Sequence, residues 1–271
     1  MKLRLILLVL SLLAFLSAST GGYLYYSALK KSAFREAERQ AVARVRTIQK
    51  NLSSFLSENI KPVRTLAGIK ELSQILIRPD DRIALKNTNT ILDHFNKTLN
   101  AEVCYLMDPE GDTIASSNRS APDSFVGNNF DFRPYFKQAI QGRPATYLAL
   151  GTTSGKRGAY YSHPVFAKDR NTPSGVVVIK ASVELVEKEL DTAQDEFVLV
   201  TDPRGIIFIS NHKNWLYHSF RKLTTEQKSR IADSIQFGKG PWDWTGIRAK
   251  DEKHVVDSSG NEYLLSLIHI S

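Results

Sequence analysis

The 271-residue sequence predicts an α+β protein in which a membrane-spanning N-terminal helix continues as a long amphipathic helix and leads into two similar lobes with antiparallel sheets. Three observations predict it. A run without charge occupies Leu5 to Tyr26, a three-and-four apolar periodicity follows from Phe34 to Phe55, and a strand-turn-strand pattern occurs twice further on.

The 22 uncharged residues from Leu5 to Tyr26 would form a helix of roughly 33 Å at ~1.5 Å per residue, long enough to cross a bilayer. Lys2 and Arg4 ahead of the run favour a cytoplasmic N-terminus, with Tyr23, Tyr25 and Tyr26 as an aromatic belt at the outer interface. Ser17-Ala18-Ser19 leaves a cleaved signal peptide open as the alternative. Helical patterning continues past the span without a break, which favours a retained anchor.

In that continuation Phe34, Ala37, Ala41, Val45, Ile48, Leu52 and Phe55 share one face, and Arg35, Glu38, Arg39, Arg44, Arg46 and Lys50 fall on others. The helix is expected to end near Ile60, because Pro62 lacks a backbone donor and crowds the preceding turn. Ser27 to Ile60 would reach roughly 50 Å, more than one compact lobe needs. The helix is therefore expected to pack along its own domain, to form a dimer seam along its exposed part, or to do both.

The repeat is explicit. Val103 to Ser117 aligns with Phe197 to Asn211, and each copy centres on Asp-Pro-x-Gly: Asp108-Pro109-Glu110-Gly111 and Asp202-Pro203-Arg204-Gly205. Asp caps such a turn, Pro sets φ at its second position and Gly admits a left-handed backbone. One such hairpin is commonplace, but two at matching places argue for duplicated lobes. The first lobe should add a helix near Arg133 to Gly142 and strands near 145–150, 158–167 and 174–183, with Ser182 to Asp191 as a connecting helix. The second should add a helix from about Thr225 to Gln236 and strands near 241–249 and 262–267. The expected division is a cytoplasmic tip and membrane helix at 1–26, a membrane-rising helix at 27–70, a membrane-distal lobe at 71–185 and a membrane-proximal lobe at 186–271.

Several function classes find no support. Cys104 is the only cysteine, so neither an intrachain disulfide nor a cysteine metal site is possible, and its apolar neighbours mark a buried strand. The six histidines show no metal-binding spacing. Ser162 and His163 are adjacent, which on a strand sends them to opposite faces, and no nucleophile elbow is present, so no catalytic residue is assigned. The net charge of +8 is spread among many acids without a nucleic-acid motif, and suits a surface near anionic lipid together with an anion pocket.

The anion-friendly groups lie between Asp131 and Lys180. Arg133 keeps its charge and offers a planar fork that matches a carboxylate, at a helix start marked by Pro134. Its alternative is a surface pair with Asp131. The loop Gly151-Thr152-Thr153-Ser154-Gly155 supplies hydroxyls and open amides, or else is a solvated turn. It is not a P-loop, since three residues separate its glycines where four are required, and Arg157 follows Lys156 where Ser or Thr should stand. Tyr147 and Tyr161 are candidates to wall a pocket or simply to pack, and Lys156 and Arg157 are expected on the loop's outer side. Lys180 ends the run Val176 to Ile179, where a buried Lys needs an anion or water, unless it points to solvent.

The anchor, long helix and duplicated lobe resemble the double-Cache extracytoplasmic sensors. Phe132-Arg133-Pro134-Tyr135-Phe136, with Ala149-Leu150-Gly151-Thr152-Thr153-Ser154-Gly155-Lys156-Arg157-Gly158, resembles the C4-dicarboxylate-sensing histidine kinases, over roughly residues 20–265. The resemblance implies PAS-like lobes and a distal pocket for succinate, fumarate or malate. The residues expected in that pocket are Arg133, Lys180, Gly151, Thr152, Thr153, Ser154, Gly155, Tyr147 and Tyr161, and the family places a Lys at the position of Lys180. It further implies a bacterial inner-membrane protein with a periplasmic sensor, while the length of the long helix is what points to a homodimer. A kinase using ATP would follow a second membrane helix and act on a response regulator. Neither the second helix nor the kinase is in this sequence, and for this region no cofactor, metal or nucleic acid is implied. The proximal lobe lacks counterparts of both motifs, so a structural and transmitting role is expected there, stabilised by Trp215, Trp242 and Trp244. The alternatives are a sensor of another small anion feeding a chemoreceptor or diguanylate cyclase, and a secreted enzyme, for which no catalytic constellation exists. Tyr263 onward begins as a final strand, and the last residues depart from the family's pattern.

Overall fold

The computed structural model describes residues 2–167, 171–190 and 196–267, so the divergent tail at 268–271 lies outside the described residues. Helix α1 runs from Lys2 to Glu58 without interruption. Its apolar window has a mean hydropathy of 2.1 and none of it is buried, which makes the helix long and apolar enough to cross a membrane. The predicted apolar stripe is used unevenly. Leu52 and Phe55 are buried under the distal lobe, whereas Phe34 is 42% exposed and lies 5.5 Å from the ring of His254.

The long helix breaks at Asn59, ahead of Pro62, and helix resumes as α2 (Ile60–Ala67). Pro62 falls in the first turn of α2, where its missing N–H is not needed, so it starts a helix and does not end one. Helices α3 (Lys70–Ile77) and α4 (Arg82–Thr98) follow, where the sequence pattern alone names no element. Asp81 caps α4, its Oδ1 accepting from the amides of Ile83 and Ala84 at 2.9 and 3.0 Å.

The distal sheet has five antiparallel strands, β1 (Val103–Met107), β2 (Thr113–Ser116), β3 (Ala145–Leu150), β4 (Arg157–Phe166) and β5 (Pro173–Ser182), in the order β2-β1-β5-β4-β3. Helix α5 (Pro134–Ala139) lies between β2 and β3 in the chain. Strand alternation splits the core in two. One face presents Cys104, Leu106, Tyr161, Val177 and Ile179 to the helices. The other presents Tyr105, Tyr160, Val176 and Val178 to Phe125, Phe130, Tyr135 and Phe136. Burial pushes the Cys104 thiol up to about 12, so it packs as an inert apolar group.

After α6 (Glu184–Glu189), the proximal lobe is built on smaller sheets. Strands β6 (Leu199–Thr201) and β7 (Ile207–Ser210) pair with each other, and β8 (Arg248–Ala249), β9 (His254–Val256) and β10 (Glu262–Leu264) form a sheet ordered β10-β9-β8. Helix α7 (Thr225–Asp233) starts with a capping box between Thr224 and Gln227. The strand expected over 241–249 shrinks to β8, because Gly238, Gly240, Trp242 and Gly246 all hold positive φ and keep the segment from extending. The strand expected at 262–267 is reduced to β10, and β9 is an additional strand. Trp242 and Trp244 tie this irregular segment down, donating to the Phe237 and Phe220 carbonyls, each at 3.3 Å. Trp215 packs on the His212 ring at 4.5 Å.

Candidate functional site

Arg133 is the N-cap of α5, extended at φ −72 and ψ 132, with Pro134 at the first helical position. That backbone turns its side chain inward until 1% is exposed. Nη2 donates to the Leu150 carbonyl at 2.8 Å and Nη1 to the Ile235 carbonyl at 3.2 Å. Both acceptors are neutral, and among the described residues no carboxylate pairs with this guanidinium, so its charge is uncompensated. The surface pair with Asp131 does not form; Asp131 is exposed and Arg133 is not.

The loop between β3 and β4 is closed by two backbone bonds, Gly151 N–H to the Lys156 carbonyl and Gly155 N–H to the Gly151 carbonyl, both 2.9 Å. Gly155 sits at φ +65, the left-handed region that favours glycine. Gly151 is needed for space, because a Cβ there would lie 2.5 Å from Ser154 Oγ and 3.0 Å from the Tyr160 hydroxyl. Thr152 is exposed at the rim, with Thr153 half-buried behind it.

Lys180 is wholly buried on β5, opposite Tyr160 in the register, so the solvent-facing alternative fails. Its Nζ donates to Glu102 Oε1 and to Ser154 Oγ, each at 2.8 Å, and lies 5.6 Å from the Tyr160 ring centre. Burial lowers the Lys180 pKa, and the Glu102 carboxylate only partly opposes that. The lysine stem runs over Gly158, where a Cβ would come within 2.7 Å of Cε.

Between these groups is a narrow cleft of about 180 Å³, lined by Phe125, Phe130, Arg133, Tyr135, Gly151, Thr152, Thr153 and Tyr160. It is pinched, with no part wide enough for a water-sized sphere. Tyr135 stacks on Tyr160 at 5.1 Å with the rings 6° apart, and its hydroxyl shares a 2.8 Å bond with that of Tyr105. Burial pushes the Tyr135 phenol up to about 12, leaving it a neutral hydrogen-bonding group at physiological pH. Tyr147 is a half-buried neighbour of this wall, 6.2 Å from the Tyr135 ring.

The structure thus gathers Arg133, Gly151, Thr152, Thr153, Ser154, Gly155, Tyr147 and Lys180 into one region, but not Tyr161. Tyr161 points through the opposite face of the sheet and donates to the Phe55 carbonyl of α1 at 2.5 Å. Tyr160, one residue earlier, takes the pocket side. Arg157 also departs from expectation: it is not on the loop's outer side but bonds Glu187 of α6, with Nη2 2.6 Å from Oε2, and the Phe208 carbonyl of β7 at 2.7 Å. Lys156 alone is outward and exposed. Glu102, Gly158, Tyr135 and Tyr160 are parts of the site that sequence reasoning missed. Among the described residues no cluster of His, Cys, Asp or Glu is placed to hold a metal ion.

A Cache-domain profile matches residues 26–271. The C4-dicarboxylate transport sensor protein DctB of Pseudomonas aeruginosa is 36% identical over 187 residues, which is 69% of this chain and 30% of that protein. The protein of the same name from Rhizobium meliloti is 35% identical over 176 residues, 65% of this chain and 28% of its own length. The chain therefore spans only about 30% of the length of these relatives. Among solved structures, the sensor domain of the V. cholerae histidine kinase DctB aligns with a TM-score of 0.77 and 28% identity, covering 83% of this chain and 89% of that one. The sensory domain of the Campylobacter jejuni chemoreceptor Tlp3 with isoleucine bound aligns at TM-score 0.56 and 18% identity over 74% of this chain and 82% of its own, a likeness of fold. With the profile extending over all but the first 25 residues, this chain belongs to the Cache-domain family and is homologous to the DctB sensors.

Proposed function

We propose that this chain is the extracytoplasmic sensing region of a histidine kinase and that its distal cleft binds a C4-dicarboxylate such as succinate, fumarate or malate. The observation that carries the reading is Arg133: a fully buried guanidinium, unpaired with any carboxylate among the described residues, lining an enclosed aromatic cleft. A buried cation held only by neutral carbonyls is costly unless an anion completes it. The guanidinium has five N–H donors and spends two on carbonyls, leaving others for one ligand carboxylate. The second carboxylate would take the hydroxyls and amides of Thr152, Thr153 and Ser154 and the Lys180 ammonium behind Ser154, with Tyr135 and Tyr160 against the carbon chain. The names of the two DctB relatives, C4-dicarboxylate transport sensor proteins, support the same ligand class.

Glu102 refines the picture. It already occupies Lys180, and its second oxygen, Oε2, is buried without a hydrogen-bond partner. A ligand carboxylate competes with an internal carboxylate that is itself poorly satisfied, so the site is poised for exchange of one anion for another.

In this reading α1 anchors the chain in the inner membrane with both lobes in the periplasm, two copies associate along its exposed length, and ligand occupancy biases a kinase and its response regulator. Calorimetric titration of succinate into the full chain in nanodiscs tests the first step. Saturable binding that disappears in Arg133→Ala is expected; equal binding by that variant would overturn the assignment.

A further inference from the structure

Arg133 donates to a carbonyl in each lobe, Leu150 in the distal one and Ile235 in the proximal one. The neighbouring residue, Gln236, is 8% exposed and adds a strand-like rung to the open edge of β3. Its carbonyl accepts from the Leu150 amide at 2.9 Å and its Nε2 donates to the Leu148 carbonyl at 2.7 Å. Its Oε1 accepts from Arg204, which in turn bonds Asp202 Oδ2 at 2.6 Å in the turn of the second hairpin. Leu150 is thus clamped from both sides, its amide by Gln236 and its carbonyl by Arg133, immediately before the ligand loop begins at Gly151.

Ile235 itself is unusual. It has φ +50, a left-handed backbone that a β-branched side chain disfavours, and its side chain is 43% exposed. Burial of the isoleucine therefore does not account for this conformation. It aims the carbonyl at Arg133, and strain of this kind persists where surrounding contacts fix it.

Resting on the reading of the cleft as a dicarboxylate site, we propose that Gln236 and Ile235 of the proximal lobe are positioning residues of that site. They hold the Arg133 fork and the end of β3 in binding geometry, so the distal pocket is complete only with the proximal lobe docked. By reciprocity, a ligand that binds the docked arrangement better also strengthens the docking, which gives the proximal lobe a direct means of registering occupancy.

The test is a double-mutant cycle on succinate affinity, in the full chain in nanodiscs, with amide hydrogen exchange alongside. Gln236→Ala is expected to weaken succinate binding about tenfold in the wild-type background. It should have little effect in Arg133→Lys, which lacks the fork that Gln236 orients. An equal loss in both backgrounds, or no loss in either, would overturn the proposal, because a purely structural role would weaken both alike. Should Gln236→Ala fold poorly, Gln236→Glu keeps the acceptor for Arg204 but removes the donor to Leu148, and the same cycle applies. Exchange without ligand keeps the two readings apart: Arg133→Ala should speed exchange across 235–238 and at Leu150, and unchanged exchange would sink the joint. Absence of succinate binding in the wild type would instead sink the dicarboxylate reading, with the joint still decided by exchange.

Discussion

In the distal hairpin Asp108 Oδ1 accepts from the amides of Glu110 and Asp112 at 3.1 and 2.8 Å, and in the proximal hairpin Asp202 Oδ1 accepts from those of Arg204 and Ile206 at 3.1 and 2.8 Å. Gly111 and Gly205 hold φ +91 and +90, and each hairpin shifts register just before its turn. The turns are duplicates, yet their surroundings differ. Strand β1 lies beside β5 and its buried Lys180, whereas β6 pairs only with β7 among the described strands. Glu110 is exposed to solvent, while Arg204 at the matching position reaches inward to Asp202 and Gln236 and lies 5.3 Å from the Phe237 ring. Local turn chemistry reproduces a hairpin wherever it occurs; neighbouring strands decide whether it borders a ligand site or a joint.

The largest break in that contrast comes from Arg133→Ala. Each charge-assisted bond contributes about 1.5–3 kcal/mol, so losing a two-bond fork should lower succinate affinity by roughly a hundredfold or more. Arg204→Ala, in the proximal lobe, should cost well under that by the same calorimetric measurement.

The pH dependence comes next. Burial holds the Lys180 pKa below the 10.5 of a free lysine, and a bound carboxylate would raise it again. Binding should therefore take up a proton at pH values between the two, and affinity should fall as pH rises through the lower one, by at most about tenfold per unit. Lys180→Arg should bind without that alkaline loss; an identical pH profile in the variant would contradict the assignment of Lys180. Glu102→Gln is a smaller effect of opposite sign. Removing the internal competitor should strengthen succinate binding several-fold at neutral pH, and should bring the alkaline loss on earlier because Glu102 supports the charged lysine.

The smallest effect distinguishes the two faces of the distal sheet. Tyr161→Phe removes one buried hydrogen bond to Phe55 and should cost about 1 kcal/mol in urea unfolding, leaving succinate affinity unchanged. A change in affinity would place Tyr161 in the site after all.

What could be read from sequence was what is local. Both hairpins, the long apolar helix and the Arg133 helix start follow from residues within a few positions of one another. Choosing Tyr160 over Tyr161 required knowing which residue faces Lys180. That pairing is set by the β4–β5 register, which shifts at an irregularity between Val165 and Phe166. Glu102 and Lys180 are 78 residues apart, and Arg157 meets partners 30 and 51 residues away, so no local pattern marks either. The run of positive-φ positions that replaces a proximal strand includes Trp242, which composition would not flag.

In the proposed reading the pinched distal cleft opens for one dicarboxylate held at both ends. A crystal structure of the chain grown with succinate tests it most directly. One carboxylate is expected on the Arg133 fork and the other among Ser154, the amides of Thr152 to Ser154 and Lys180, with Glu102 displaced. Succinate bound elsewhere, with Arg133 still held only by Leu150 and Ile235, would contradict it.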